Sequence, residues 1–151
     1  MNTPPKVLAL SSSGGHWVQL QRLAPAFADC DITYATTRKT YISEVNGAKF
    51  AKIPDCNRGQ PLRILVSALG ILLLLLRLRP DVVVSTGAAP GYLAVRLGRL
   101  LGARTIWLDS VANAEELSMS GKKIGPHATL WLTQWRHLAK YEGPYFHGSV
   151  L

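Results

Sequence analysis

Short apolar runs alternate with longer amphipathic stretches along the chain. KVLAL (6–10) predicts a buried strand. From His16 to about Ala28, Trp17, Leu20, Leu23, Ala24 and Phe27 recur at helical spacing and predict a helix. DITYATT (31–37) and FAKIP (50–54) predict a second and a third strand, the third closed by Pro54. Leu62 to Leu78 predicts a long helix, and DVVVSTG (81–87) a fourth strand. Residues 90–101 predict a helix ended by Gly102. ARTIWLD (103–109) and ATLWLTQ (128–134) predict two more strands, and WRHLAKY (135–141) a last short helix. The irregular stretch 112–127 predicts a loop holding a short helix. Strand–helix alternation of this kind gives an α/β fold, a parallel sheet with helices on both faces. The run Val82–Val83–Val84 suits a strand covered on both sides.

In such a sheet, ligands bind beyond the carboxyl ends of the strands. Three polar or glycine-rich loops fall there: SSSGGH (11–16), STGAAPG (85–91) and DSVAN (109–113). Gly14 and Gly15 allow a tight turn and close approach of a ligand. The helix that follows aims its free N–H groups and positive dipole end at the loop. With the hydroxyls of Ser11, Ser12 and Ser13, this predicts a cradle for a phosphate or diphosphate. His16, at the helix start, can take a proton from a sugar hydroxyl or donate to a phosphate oxygen. Asp109 is the best-placed carboxylate on that edge, whereas Asp81 begins the fourth strand and belongs to the opposite end. The spacings G-x-G-x-x-G, G-x-x-x-x-G-K-S/T and G-x-S-x-G are missing from these loops, which argues against a dinucleotide site, a P-loop and a hydrolase elbow.

The helix over about 62–79 breaks the amphipathic pattern. From Ile64 to Leu76 every residue except Ser67 is apolar or glycine, and Leu72 to Leu76 point in every direction around a helix. The uninterrupted run is about 20 Å long at ~1.5 Å per residue, short of a hydrocarbon core of about 30 Å. Arg58, Arg63, Arg77 and Arg79 flank it. The pattern predicts an in-plane helix in an anionic membrane interface, with Leu65, Leu69, Leu72, Leu73 and Leu76 in the apolar layer and Arg63, Arg77 and Arg79 at the headgroups. The alternatives are a protein interface and a helix buried on all sides.

Composition adds a bias toward anionic partners. The 151 residues carry 17 Lys and Arg against 9 Asp and Glu, a net charge of +8. No nucleic-acid-binding motif accompanies that charge, and the aromatics are not interleaved with the basic residues, so nucleic acid is not an expected partner. Cys30 and Cys56 make neither a disulfide framework nor a metal cluster. His127, His137 and His147 show no ligand spacing, and no metal or cofactor is expected. The first residues lack the apolar stretch of a signal peptide, which predicts the cytoplasmic side of the cell.

Taken in order, the GGH-ending loop, RPDVVVSTGAAPGYLA (79–94), TIWLDSVANAEELSMSGK (105–122) and LWLTQW (130–135) resemble one family over nearly the whole chain. It comprises the PssD-like proteins of bacterial polysaccharide biosynthesis and the membrane subunit of the split UDP-GlcNAc transferase of N-glycan assembly. The arrangement is more distantly similar to the N-terminal half of MurG. The resemblance implies one Rossmann-like domain over 1–151, the acceptor-binding N-terminal half of a GT-B glycosyltransferase. It implies an inverting reaction without a metal, in which a separate small subunit binds the UDP-sugar donor. The acceptor it implies is a saccharide on a polyprenyl diphosphate in the cytoplasmic membrane leaflet, with the chain peripheral to that leaflet. The diphosphate would lie against Ser11, Ser12, Ser13, Gly14 and Gly15 on one wall and Gly87, Ala88, Gly91 and Ser110 on the other. His16 or Asp109 would be the base, and Trp135, Tyr145 and Phe146 would face the donor-binding partner. Where the eukaryotic relatives carry an N-terminal anchor, membrane attachment here falls to the 62–79 helix or to the partner. Those relatives carry Glu at the position of Asp109, one methylene longer. The competing expectation is a non-catalytic scaffold that recruits a transferase chain to membranes.

Overall fold

A computed structural model describes residues 3–57 and 59–150; Arg58, one of the flanking arginines, lies outside them. Six strands form one parallel sheet: β1 (Lys6–Leu10), β2 (Asp31–Thr36), β3 (Lys49–Lys52), β4 (Val82–Ser85), β5 (Arg104–Leu108) and β6 (Leu130–Leu132). Their order is β3-β2-β1-β4-β5-β6, so the chain reverses its direction of travel across the sheet between β1 and β4, where open α/β sheets form their ligand crevice.

The helices are α1 (Gly15–Arg22), α2 (Pro61–Leu78), α3 (Ala88–Leu100) and α4 (Met119–Ile124). Alternation along β1 divides the core. Leu8 and Leu10 pack with Ile71 and Leu75 of α2 and Ala94 of α3. Ala9 faces the other way, toward Trp17 and Leu20 of α1 and Tyr34 of β2. Trp17 stacks on Tyr41 at 5.1 Å between ring centroids and donates its indole N–H to Glu44. Both of these partners sit on a 3₁₀ segment, Lys39–Glu44, that the apolar pattern did not announce.

Two expectations are corrected. The first helix does not run to Ala28. It ends at Arg22, and Pro25 restarts the chain as a 3₁₀ turn, Ala24–Phe27, because proline lacks the N–H that would continue the ladder. Leu23 and Phe27 still reach the same core. The second correction concerns α2. It is a full 18 residues with mean hydropathy 2.1, about 27 Å long, and by length and composition alone could cross a membrane.

Packing defines how α2 sits. Only Ser67, Ile71 and Leu75 are buried, one stripe facing the sheet. The lone hydroxyl of the run, on Ser67, donates to the Pro54 carbonyl at 3.0 Å. Beside it, a Cβ at Gly70 would meet the Pro54 ring at 3.0 Å. Burial on all sides is therefore excluded. On the opposite side, Leu62, Leu65, Val66, Leu69, Leu73 and Leu76 are each at least half exposed. Leu72 lies on the flank, half-buried, while Arg63, Arg77 and Arg79 are exposed. Arg79 closes the helix in the left-handed conformation (φ 47°), its N–H on the Leu75 carbonyl at 2.8 Å.

Candidate functional site

Parallel strands bring the loops after β1, β4 and β5 to one edge of the sheet, and two bonds join the first two loops. His16 Nδ1 lies 2.9 Å from the Thr86 carbonyl. The Thr86 hydroxyl donates to the His16 carbonyl at 2.6 Å. A carbonyl can only accept, so Nδ1 carries the proton and the neutral ring presents Nε2 as its acceptor.

Gly87 makes room for that ring. Its φ of 133° is a glycine conformation, and a Cβ there would stand 2.6 Å from both Nδ1 and Cε1 of His16. Ala88 follows in the left-handed region at φ 68°, an arrangement that costs an L-residue roughly 1–2 kcal/mol. These two turns start α3 beside the imidazole.

His16, Ala88, Ser110, Asn113 and Ser118 line an open cleft of about 340 Å³. Two of the helices that begin at this edge, α1 and α3, have glycines as N-caps and no capping side chain. Their first-turn N–H groups and positive dipole ends remain available for an anion. A larger cavity, about 610 Å³, opens at the opposite edge around Pro5, Asp81 and Arg104, away from these loops.

The cradle is narrower than the three serines suggested. Ser11 is fully buried and its hydroxyl donates to the Ser12 carbonyl at 2.9 Å. Ser12 donates to the Ser13 carbonyl at 3.3 Å. The Ser13 and Gly14 N–H groups donate to the Thr37 and Tyr41 hydroxyls, each at 3.3 Å. Gly14 (φ 79°) and Gly15 have nothing within 4 Å of a built Cβ, so open space lies over the start of α1. Gly91 packs α3 on the sheet instead of lining the cleft: a Cβ there would meet Ser85 Oγ at 2.1 Å.

Asp109 is 1% exposed and fully engaged. Its carboxylate accepts from the Ser118 N–H at 2.8 Å, the Ser118 hydroxyl, and the Trp107 indole at 3.1 Å. Ser118 in turn caps α4 by accepting from the Gly121 N–H at 2.8 Å. A Cβ at Gly121 would come within 2.6 Å of the carboxylate. Asp109 thus anchors the wall of the cleft, and His16 is the residue with a ring nitrogen to spare.

A buried amide pair, unremarked in the sequence, ties the loops together. Gln19 donates to Ser110 Oγ at 3.0 Å and accepts from the Val111 N–H at 3.0 Å and from Gln134 at 2.6 Å. Gln134 also donates to the Asp109 carbonyl and accepts from the Val150 N–H. Gln19 stands one helical turn after the GGH motif, and that spacing was the available signal. Trp135 is docked, its indole on the Val111 carbonyl at 2.8 Å. Phe146 lies under the Arg136 guanidinium at 4.8 Å. Tyr145 extends the sheet by a bridge to Leu132 while its side chain stays exposed.

No protein-family profile matches the chain. In sequence it is similar to the UDP-N-acetylglucosamine transferase subunit ALG14 of Yarrowia lipolytica, 24% identical over 97% of this chain and 82% of that protein. In structure it is similar to MurG of Acinetobacter baumannii, with a TM-score of 0.76 and 15% identity over 94% of this chain and 47% of MurG. A glycosyltransferase of Rickettsia africae matches with a TM-score of 0.62 and 15% identity over 89% of this chain and 37% of its own. The UDP-GlcNAc 2-epimerase of Methanocaldococcus jannaschii matches at 0.53 and 18% identity, over 72% of this chain and 31% of its own. The chain thus spans about half of MurG and about a third of the other two solved structures. Transferases and an epimerase share the sheet, so the fold alone does not choose the reaction. The chain has the Rossmann-like fold of one half of a GT-B glycosyltransferase, and its sequence likeness is to a transferase subunit.

Proposed function

We propose that this chain is the acceptor-binding, membrane-associated subunit of a two-chain inverting glycosyltransferase, and that residues 1–151 act as one domain. A separate chain with the other GT-B half would bring the UDP-sugar, and the acceptor would be a saccharide on a polyprenyl diphosphate. The observation that carries the reading is the His16 tautomer beside two uncapped helix starts: a proton acceptor and an anion cradle on one edge. The likeness to a transferase subunit and the half-length match to MurG support the division of labour.

The chemistry follows from that placement. The diphosphate rests on the starts of α1 and α3, over Gly15 and Ala88, with the Ser13 hydroxyl beside it. The acceptor hydroxyl lies against Nε2 of His16. Its oxygen bonds to the anomeric carbon while its proton passes to Nε2, and the bond from that carbon to the UDP oxygen breaks on the opposite face. The Thr86 carbonyl stabilises the imidazolium through the Nδ1 proton. Asp109 positions the cleft wall through Ser118. Exposed leucines of α2 hold the domain against the cytoplasmic leaflet, with its arginines at the headgroups.

Gly15→Asp is the direct test. The open space at Gly15 accepts a side chain without a clash, so the fold persists while a carboxylate enters the cradle. Like charges brought together cost several kcal/mol, so sugar transfer by the assembled enzyme falls by roughly a hundredfold. Wild-type transfer by that variant would favour the scaffold reading, in which the cradle binds nothing the reaction needs.

A further inference from the structure

A second groove opens next to the cleft. It is about 370 Å³ and is lined by Cys56, Ile64 of α2, Ala89, Tyr92 and Leu93 of α3, and Lys123 of α4. Ser120 belongs to both depressions, and Ala88 of the cleft is followed by Ala89 of the groove. The groove therefore adjoins the polar cleft, with Ser120 at the boundary between them. Its far side is Ile64 of α2, which lies in line with the sheet-facing stripe of Ser67, Ile71 and Leu75.

The lining changes character along this path. At the cleft end stand His16, the start of α3 and three serines. Beyond them the groove is aliphatic and aromatic, with one ammonium. Lys122 is held by Glu116 at 2.7 Å, whereas Lys123 has no ion pair among the described residues. An anion seat beside an apolar trough fits an amphipathic molecule with a hydrocarbon chain joined directly to its phosphates. A free nucleotide or a sugar phosphate would leave the trough empty.

We propose that this groove binds the hydrocarbon segment next to the diphosphate of the lipid-linked acceptor. The proposal rests on the acceptor reading above. On the scale where a cavity of about 150 Å³ holds one benzene, the groove takes about two five-carbon units. Lys123 adds one positive charge to the groove wall. The groove thereby selects lipid acceptors over water-soluble ones and fixes which way the chain leaves the site.

Farnesyl diphosphate and inorganic diphosphate are the probes, titrated by calorimetry against the full chain. Wild type should bind farnesyl diphosphate at least roughly tenfold more tightly than inorganic diphosphate, since burial of each apolar carbon adds affinity. Ile64→Trp, which fills the groove from the side away from the cleft, should erase that preference and leave inorganic diphosphate binding unchanged. A second measurement needs no groove substitution: in a Cys30→Ser background, farnesyl diphosphate should slow alkylation of Cys56 and inorganic diphosphate should not. Equal affinity of wild type for the two probes, or a preference that survives Ile64→Trp together with unprotected Cys56, overturns the groove while the cleft reading stands. If neither probe binds wild type, the cleft reading and the groove fall together.

Discussion

At the scale of single residues, the site separates two groups that the sequence could not rank. His16, at the start of α1, and Asp109, at the end of β5, both stand on the ligand edge. One has a nitrogen to spare; the other has given its carboxylate to three donors. Asp109→Asn should therefore act on stability first. Its amide group would face donors that need an acceptor, and leaving a buried donor unpaired costs about 1–3 kcal/mol. Thermal unfolding of the variant should show that loss, whereas a carboxylate kept only for chemistry would leave the unfolding temperature unchanged. Tyr34 gives a second test in the α1-side core. Burial holds its phenol above the ordinary value of 10.0. The native state then keeps a proton that the unfolded chain gives up, so this stability is complete below about pH 10 and is lost as pH rises through the native value. Tyr34→Phe should flatten the alkaline limb of a stability–pH curve; an unaltered limb would contradict the burial argument.

Among the elements, α2 has the most to explain. Its Leu65, Leu69, Leu73 and Leu76 are exposed as a stripe opposite Ile71 and Leu75. Water is a poor neighbour for such a stripe, since full burial of each leucine is worth about 1.5–3 kcal/mol. Leu69→Glu with Leu73→Glu should lower co-sedimentation with anionic vesicles at least roughly tenfold, with little change in unfolding temperature because both side chains lie outside the core. Retained vesicle binding would move the membrane contact elsewhere. The strands and the long helices were legible because each core face repeats along the chain, as in KVLAL and DVVVSTG. The 3₁₀ segment at 39–44 was not, because it buries no residue fully and signals itself only through Tyr41 and Glu44, which find Trp17 across the fold. The loops could be placed on one edge from strand direction alone. Which hydroxyls and N–H groups they leave free could not, because that depends on Thr37, Tyr41 and Ser118 reaching in from other segments.

Over the whole molecule, the polar cleft and the apolar groove adjoin, and the sheet order puts the cleft beside the β1/β4 reversal. On the proposed function, a domain of this form would bring an acceptor on a lipid to a partner that holds a sugar nucleotide. The most direct measurement is sugar transfer from UDP-sugars to lipid diphosphate acceptors by the tagged chain purified in mild detergent with its native companion. The account predicts transfer that requires the companion and falls about 10²–10⁴-fold in His16→Ala, the range for loss of a general base, with the companion still bound. Undiminished transfer by His16→Ala, or transfer by the chain alone, would contradict it.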